Sequence, residues 1–255
     1  MKSVKVLAAV ATASLLSGCI VVATPSHADT HQRKQLTLDA SSLSELDIDA
    51  GAGSLEVRGQ SGLSEIRVTA DIYTDSKYRD HYELSLTEAG DTANLVAKNK
   101  STSGFWVGSS PRIDLVVHVP DEMTLDIDDG SGDMRVTGIS ASVNISDGSG
   151  DIEVEQLHGD LKIDDGSGEM ELSDIRGNLT IDDGSGNIYA KNITGSAVFE
   201  DGSGDLTVKK VSGNVTVDDG SGDISVQDAG GLTILETGSG GLSVKGVEGN
   251  FEIDS

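Results

Sequence analysis

The sequence is short of several things at once. Its 255 residues include one cysteine, three prolines and only 3% aromatic side chains. A lone cysteine excludes an intrachain disulfide scaffold and a cysteine-built zinc site. Scarce aromatics leave any core to Ile, Leu and Val, in thin layers. Positive charge is scarce too: 18 Lys and Arg stand against 43 Asp and Glu, a formal net charge of −25. Binding phosphate needs Lys and Arg, so the balance argues against DNA, RNA or an anionic lipid surface as a partner. What the chain has in quantity is glycine, 32 residues of it, and acid.

The N-terminus reads as an export signal, outside any fold argument. Lys2 and Lys5 precede an apolar stretch from Val6 to Leu16. Leu16-Ser17-Gly18-Cys19 resembles the lipobox of bacterial lipoproteins, which places the lipid on Cys19 and makes residues 1–19 the signal peptide. Two alternatives stand beside it. Ser26-His27-Ala28 resembles an ordinary cleavage site, with cleavage after residue 28, and Val4 to Ala23 is long enough to span a membrane uncleaved. Ile20, rather than Asp, after the cysteine resembles outer-membrane sorting. The expectation is an outer-membrane lipoprotein facing the periplasm or the cell surface, touching the membrane through its anchor alone. A soluble periplasmic or secreted protein is the alternative. Residues 20–34 are expected to be a polar, mobile tether.

The rest of the chain is governed by a repeat. Asp-Gly-Ser-Gly begins at Asp129, Asp147, Asp165, Asp183, Asp201 and Asp219, and Thr-Gly-Ser-Gly begins at Thr237. Every interval is 18 residues, so 129–255 holds seven units. Counting each unit from its Asp as position 0, positions 5, 7, 14 and 16 carry apolar residues such as Ile152, Val154, Leu161 and Ile163. Position 10 is also apolar, and position 12 is Gly from Gly159 onward. Alternation with a period of 2 marks strands with one buried face. Each unit therefore holds two short strands separated by glycine turns. One unit cannot bury its apolar face alone, but stacked units can. The fold class this dictates is all-β, a parallel β-solenoid (β-helix) of 18-residue coils. Seven coils at about 4.8 Å each stand roughly 34 Å tall.

Residues 35–128 are related but irregular. Asp47 to Val57 reads as one more coil, with Ala50-Gly51-Ala52-Gly53 in place of Asp-Gly-Ser-Gly. Gln35 to Leu38 reads as a lead-in strand. Glu65 to Tyr73, Tyr82 to Leu86, Ala93 to Ala97 and Arg112 to Val119 also alternate. They are expected as longer antiparallel strands that cap one end, where an open edge would invite aggregation.

Leu125-Asp-Ile-Asp-Asp-Gly-Ser-Gly-Asp-Met-Arg-Val136 and its later copies, together with the lipobox and the glycine-rich first coil, resemble the adhesin-like β-strand-repeat family of the DUF4097 type. The resemblance covers most of the chain after residue 34. It implies a β-solenoid on the bacterial envelope and carries over no catalytic residue.

Stacking puts like charges in columns. At about 4.8 Å in water each neighbouring pair repels by roughly 0.9 kcal/mol. Over positions 0, 4 and 17 the thirteen such pairs reach about 11 kcal/mol before screening, as large as a typical folding free energy. Something must offset this: backbone N–H groups at the corners, bound cations, or salt. Asp at position 0 suits a tight corner because its carboxylate can accept an N–H two residues on. Cations are the alternative, since Ca²⁺ takes carboxylate and carbonyl oxygens. The candidate ligands are Asp129, Asp133, Asp147, Asp151, Asp165, Glu169, Asp183, Asp201, Asp205, Asp219 and Asp223. Otherwise no cofactor is expected.

Catalysis has little to stand on. The unit never lengthens to wall a cleft, the acid pairs are all equivalent, and His31, His81, His118 and His158 show no triad or metal-ligand spacing. The expected function is therefore a binding or structural, adhesin-like role without turnover, toward a surface, a glycan or an envelope protein. A calcium-dependent module is the second expectation and a polysaccharide-active β-helix enzyme the third. Phe105 and Trp106, the latter the only Trp, form a candidate contact loop, with packing over an open core end as the alternative.

Overall fold

The computed structural model describes residues 30–74, 79–100 and 111–253. Every regular element among them is a strand. The chain enters through β1 (Thr30–Asp39) and forms a coil from β2 (Glu45–Ala52) and β3 (Leu55–Gln60). It then makes β4 (Glu65–Thr74), β5 (Tyr82–Ala89), β6 (Thr92–Asn99) and β7 (Arg112–Pro120). The regular array begins with β8 (Thr124–Ser131), β9 (Met134–Thr137), β10 (Val143–Asp147) and β11 (Ile152–Leu157). It continues with β12 (Leu161–Asp165), β13 (Met170–Ile175), β14 (Leu179–Asp183), β15 (Ile188–Ile193) and β16 (Ala197–Asp201). The last strands are β17 (Leu206–Asp219), β18 (Ile224–Glu236), β19 (Leu242–Val247) and β20 (Phe251–Ile253).

These strands make a parallel β-solenoid with two faces. Face one runs β6-β2-β8-β10-β12-β14-β16 and on into the second halves of β17 and β18. Face two runs β7-β3-β9-β11-β13-β15 and into their first halves. In the array each residue sits beside its equivalent 18 positions on, as Ile145 beside Ile163 and Ile163 beside Ile181. The alternating apolar residues of both faces meet in one continuous core. Its layers conserve volume. Phe199 is fully buried in a coil whose other inward residues include Ala190 and Ala197, so the large side chain is matched by small ones beside it.

The N-terminal strands cap the array in a way the sequence pattern only half indicates. β1, β4 and β5 are antiparallel, as expected. β6 and β7 are antiparallel on one edge only, to β5 and β4; on the other they pair in parallel with β2 and β3 and form a further coil beneath them. The outer edges of β2 and β3 need partners, and β6 and β7 supply them. Phe105 and Trp106 lie outside the described residues, as does Cys19.

The tether expected up to residue 34 ends sooner. Thr30 to Lys34 are the first half of β1, paired with Thr74 to Ala70. Polar residues fold here because their cross-strand partners fit. His31 stacks on Tyr73 with centroids 4.6 Å apart. Asp71 accepts from His31 Nε2 at 2.6 Å and from Arg33 at 2.9 and 2.8 Å. The Arg112 guanidinium covers the Tyr73 ring from 4.2 Å.

One coil also departs from strict register. Val215 and Val217 pair with Leu232 and Ile234, an offset of 17, and Asp218 with Glu236 restores 18. The apolar alternation dictates the slip: Leu232 and Ile234 are fully buried, and Leu235 is pushed out to 40% exposure.

Candidate functional site

Each coil has two corners, and they differ in every respect that matters for chemistry. The first corner is Asp-Gly-Ser-Gly. Alternation continues from positions 14 and 16 into the next position 0, so that aspartate faces inward with the core. Asp129, Asp147, Asp165, Asp183, Asp201 and Asp219 are all buried, none more than 6% exposed. They stand in register from coil to coil. One oxygen caps the corner: the N–H of Ser167 donates to Asp165 at 3.1 Å, that of Ser185 to Asp183 at 3.1 Å and that of Ser221 to Asp219 at 2.9 Å. Ser149 does the same for Asp147 at 3.3 Å. The second oxygen of each of these four is buried with no partner, and so are both oxygens of Asp129 and Asp201.

Glycine at position 3 closes this corner. Gly204 has φ +152°, and a Cβ there would strike the Gly186 carbonyl one coil below. The same contact recurs up the stack, so position 3 admits no side chain and the backbone packs upon itself there.

The dry corner changes the acids. Burial pushes Asp129 and Asp201 up to about 7 and Asp147 and Asp183 up to about 6, and the carboxylate one coil away pushes in the same direction. Burial also raises Asp165 and Asp219. A carboxylate in this setting loses hydration, which disfavours its ionised form.

The position-4 acids behave differently. They are exposed, and their carboxylates accept the N–H of position 4 in the next coil: Glu169 N–H to Asp151 at 3.0 Å, Asp223 N–H to Asp205 at 3.0 Å and Gly241 N–H to Asp223 at 2.7 Å. The two rows expected as joint calcium ligands therefore face opposite sides of the chain. Among the described residues, three potential ligand side chains come within 4.8 Å of one another only at Glu45, Asp47 and Asp126, on the outer surface of β2 and β8. Burial, with Asp126 beside it, raises Asp47 there.

The second corner, at positions 9 to 13, is open. At position 9 the backbone is left-handed in every coil of the array from Gly138 to Gly246. Five of those residues are not glycine: Gln156, Asp174, Asn192, Lys210 and Asp228, with φ between 56° and 58°. Their side chains, with those at position 11, point into solvent. Together they line a groove of about 700 Å³ spanning five successive coils, from Ser140 to Ser212. Its charged and ring-bearing members are Asp121, His158, Asp174, Arg176 and Lys210, joined by Gln156 and Asn192. In a chain of net charge −25 this is a region of nearly balanced charge, rich in donors and acceptors. Asn192 Nδ2 donates to Asp174 at 2.9 Å, so neighbouring rungs already bond along the stack.

The sequence pattern left this groove unnoticed. Its signal was present: position 9 reads Gly, Gln, Asp, Asn, Lys, Asp, Gly, and five of the seven are Gly, Asp or Asn, the types that tolerate left-handed backbone. The histidines do not converge. His31 lies on β1, His118 on β7 and His158 in the groove.

No curated protein matches the chain. Among solved structures it is similar to a candidate cell adhesion protein from Clostridium sporogenes, with 11% identity, a TM-score of 0.43, and coverage of 88% of this chain and 100% of that one. A candidate adhesin from Bacteroides fragilis gives 14% identity and a TM-score of 0.48, covering 87% and 97%. A candidate lipid-binding protein from Parabacteroides distasonis gives 14% and 0.44, covering 88% and 97%. No helix among the described residues is long and apolar enough to cross a membrane. The family model that matches residues 43–244 spans the cap and nearly all of the array, and the chain belongs to the Toastrack DUF4097 family.

Proposed function

We propose that the chain is an exported, lipid-anchored binding module of the bacterial envelope. It works without turnover and holds an extended polyhydroxyl chain, a glycan, along its second corner. The observation that carries this reading is the groove itself. Its lining repeats once per coil, about every 4.8 Å, a spacing close to the length of one sugar residue. An extended polymer with a short repeat can meet equivalent side chains on successive coils. Mixed amides, carboxylates, hydroxyls and cations suit sugar hydroxyls, each of which both donates and accepts.

The backbone adds weight. Left-handed geometry costs an ordinary side chain roughly 1–2 kcal/mol, and glycine escapes that cost. The outermost units use Gly138 and Gly246 at this position, while Gln156 and Lys210 keep long side chains there. Asn192 and Asp174 bond to each other there, and the retention of Gln156 and Lys210 supports a role outside the fold. Export and anchoring rest on the first 28 residues and on Cys19. The near-neutral groove also explains how so acidic a protein could approach an envelope polymer.

The test is direct binding of the purified protein to a panel of neutral and acidic polysaccharides by calorimetry. The reading requires at least one to bind, and Asp174→Gly with Arg176→Ala to weaken it by tenfold or more while thermal unfolding changes little, since glycine accepts the left-handed backbone at 174. Absence of binding, or binding indifferent to these changes, contradicts it. For the anchor, Cys19→Ser is expected to move the protein from the membrane fraction to the soluble one.

A further inference from the structure

We infer that the six buried aspartates of the first corner form a proton-sharing ladder, in which a protonated carboxyl of one coil donates to the ionised carboxyl of the next. The inference goes beyond the proposed binding role and does not depend on it.

The donor inventory leads there. An ionised carboxylate only accepts hydrogen bonds. Stacked carboxylates therefore set acceptor against acceptor, and eight of the twelve oxygens in the column are buried with no partner. Buried polar atoms without partners are costly, and each requires an explanation. A single proton placed between two neighbours supplies the missing O–H donor, satisfies an oxygen on each and removes one of two like charges.

Elsewhere the chain shows what it does when a ladder needs a donor: it inserts asparagine. In the exposed position-4 row Asn187 stands among acids, donating to Glu169 Oε1 at 3.4 Å and accepting the Asp205 N–H at 3.0 Å. Asn178 donates to Asp160 at 3.2 Å, and Asn192 to Asp174. Position 0 uses no asparagine in six consecutive coils. There the donor has to come from the carboxyl itself. The column also ends in uncharged residues, with Ala50 beside Asp129 at one end and Thr237 at the start of the last unit.

The charged groups that bear on the column are acidic. They are its own neighbours, then Asp128, Asp164, Asp182 and Asp218 one residue before, and Asp205 beside Asp219. No cation among them would hold the carboxyls ionised, and burial raises all six.

The experiment follows the Asp Cγ resonances of the intact protein by ¹³C NMR from pH 4 to 9. It also compares the alternating variant Asp147→Asn, Asp183→Asn, Asp219→Asn with the parent. The column is expected to titrate well above the exposed aspartates, and in more than one step, because coupled sites release protons in turn. The amides of the variant supply permanent donors, so it should unfold at a higher temperature than the parent at pH 8 and lose most of the pH dependence. Should the triple variant fail to fold, Asp165→Asn alone carries the same comparison, with a smaller gain at pH 8. Column resonances titrating with the exposed acids would overturn the ladder. So would an Asn variant that is less stable than the parent at pH 8, or a selective rise in the parent's stability at pH 8 with Ca²⁺ over NaCl of equal ionic strength, which would mean a cation in place of the protons.

Discussion

The two corners of one coil are nine residues apart and solve opposite problems. The first turns on two glycines, which let the backbone of one coil lie on the next, and its aspartate folds back into the dry interior. The second packs its backbone coil on coil only at the position-12 glycine, as Gly177 on Gly159, and keeps side chains at positions 9 and 11, the former in left-handed geometry, facing solvent. The first corner is closed and holds the stack together. The second is open, tolerates variety, and offers the repeated polar surface a ligand would need. Regular repetition thus does not make every position alike. Buried acids concentrate on one edge of the solenoid and exposed, varied polar side chains on the other.

Breaking the first corner should have the largest effect. Gly204→Ala drives a Cβ into the Gly186 carbonyl, where neither backbone can yield without opening the stack. A loss of about 4 kcal/mol or more, or no folding, is expected in urea titration. Next comes the core between the corners. Phe199→Ala removes the large side chain of a layer whose neighbours Ala190 and Ala197 cannot expand to fill it. A loss of about 3–5 kcal/mol is expected by the same measurement. The second corner should barely respond. Lys210→Gly relieves left-handed strain and loosens the unfolded chain, so stability should change by within about 1 kcal/mol, on the stabilising side. Polysaccharide binding should weaken in the same variant. Smallest of all is the cation effect: Ca²⁺ and NaCl at matched ionic strength should shift thermal unfolding equally, as screening does.

Much of this was legible beforehand. The 18-residue phase and the period of 2 specify a parallel solenoid, because no other packing buries that pattern without a break. Alternation also held the fate of the acids. Position 0 follows 14 and 16 on the inward side, whereas position 17 faces out, so treating both rows as water-exposed repulsion overlooked the parity. The irregular regions were harder. Nothing local distinguishes β6 and β7, which pair in parallel on one edge, from β4, which is antiparallel on both. That choice is made by the free edges of β2 and β3, a property of the assembled cap. Thr30 to Lys34 look like a tether because their partners, Asp71 and Tyr73, lie forty residues on. The groove was obscured for a related reason. It is read across coils, from every eighteenth residue, and no single stretch of chain displays it.

The account turns on the buried aspartates, and thermal unfolding against pH tests it most directly. In the unfolded chain these groups have ordinary carboxylate values near 4. Folding raises them, up to about 6 or 7 for four of the six. Between those limits the folded state binds more protons than the unfolded one, so stability falls as pH rises. The stabilisation is complete below about pH 4 and lost on passing through about pH 6–7. Asp71, held low by the Arg33 guanidinium and by His31, acts in the opposite sense, but only as pH falls below its ordinary value. The melting temperature should therefore be higher at pH 5 than at pH 8 at constant ionic strength, with the steepest decline around pH 6–7. A melting temperature that is level or rises from pH 5 to pH 8 would contradict the account.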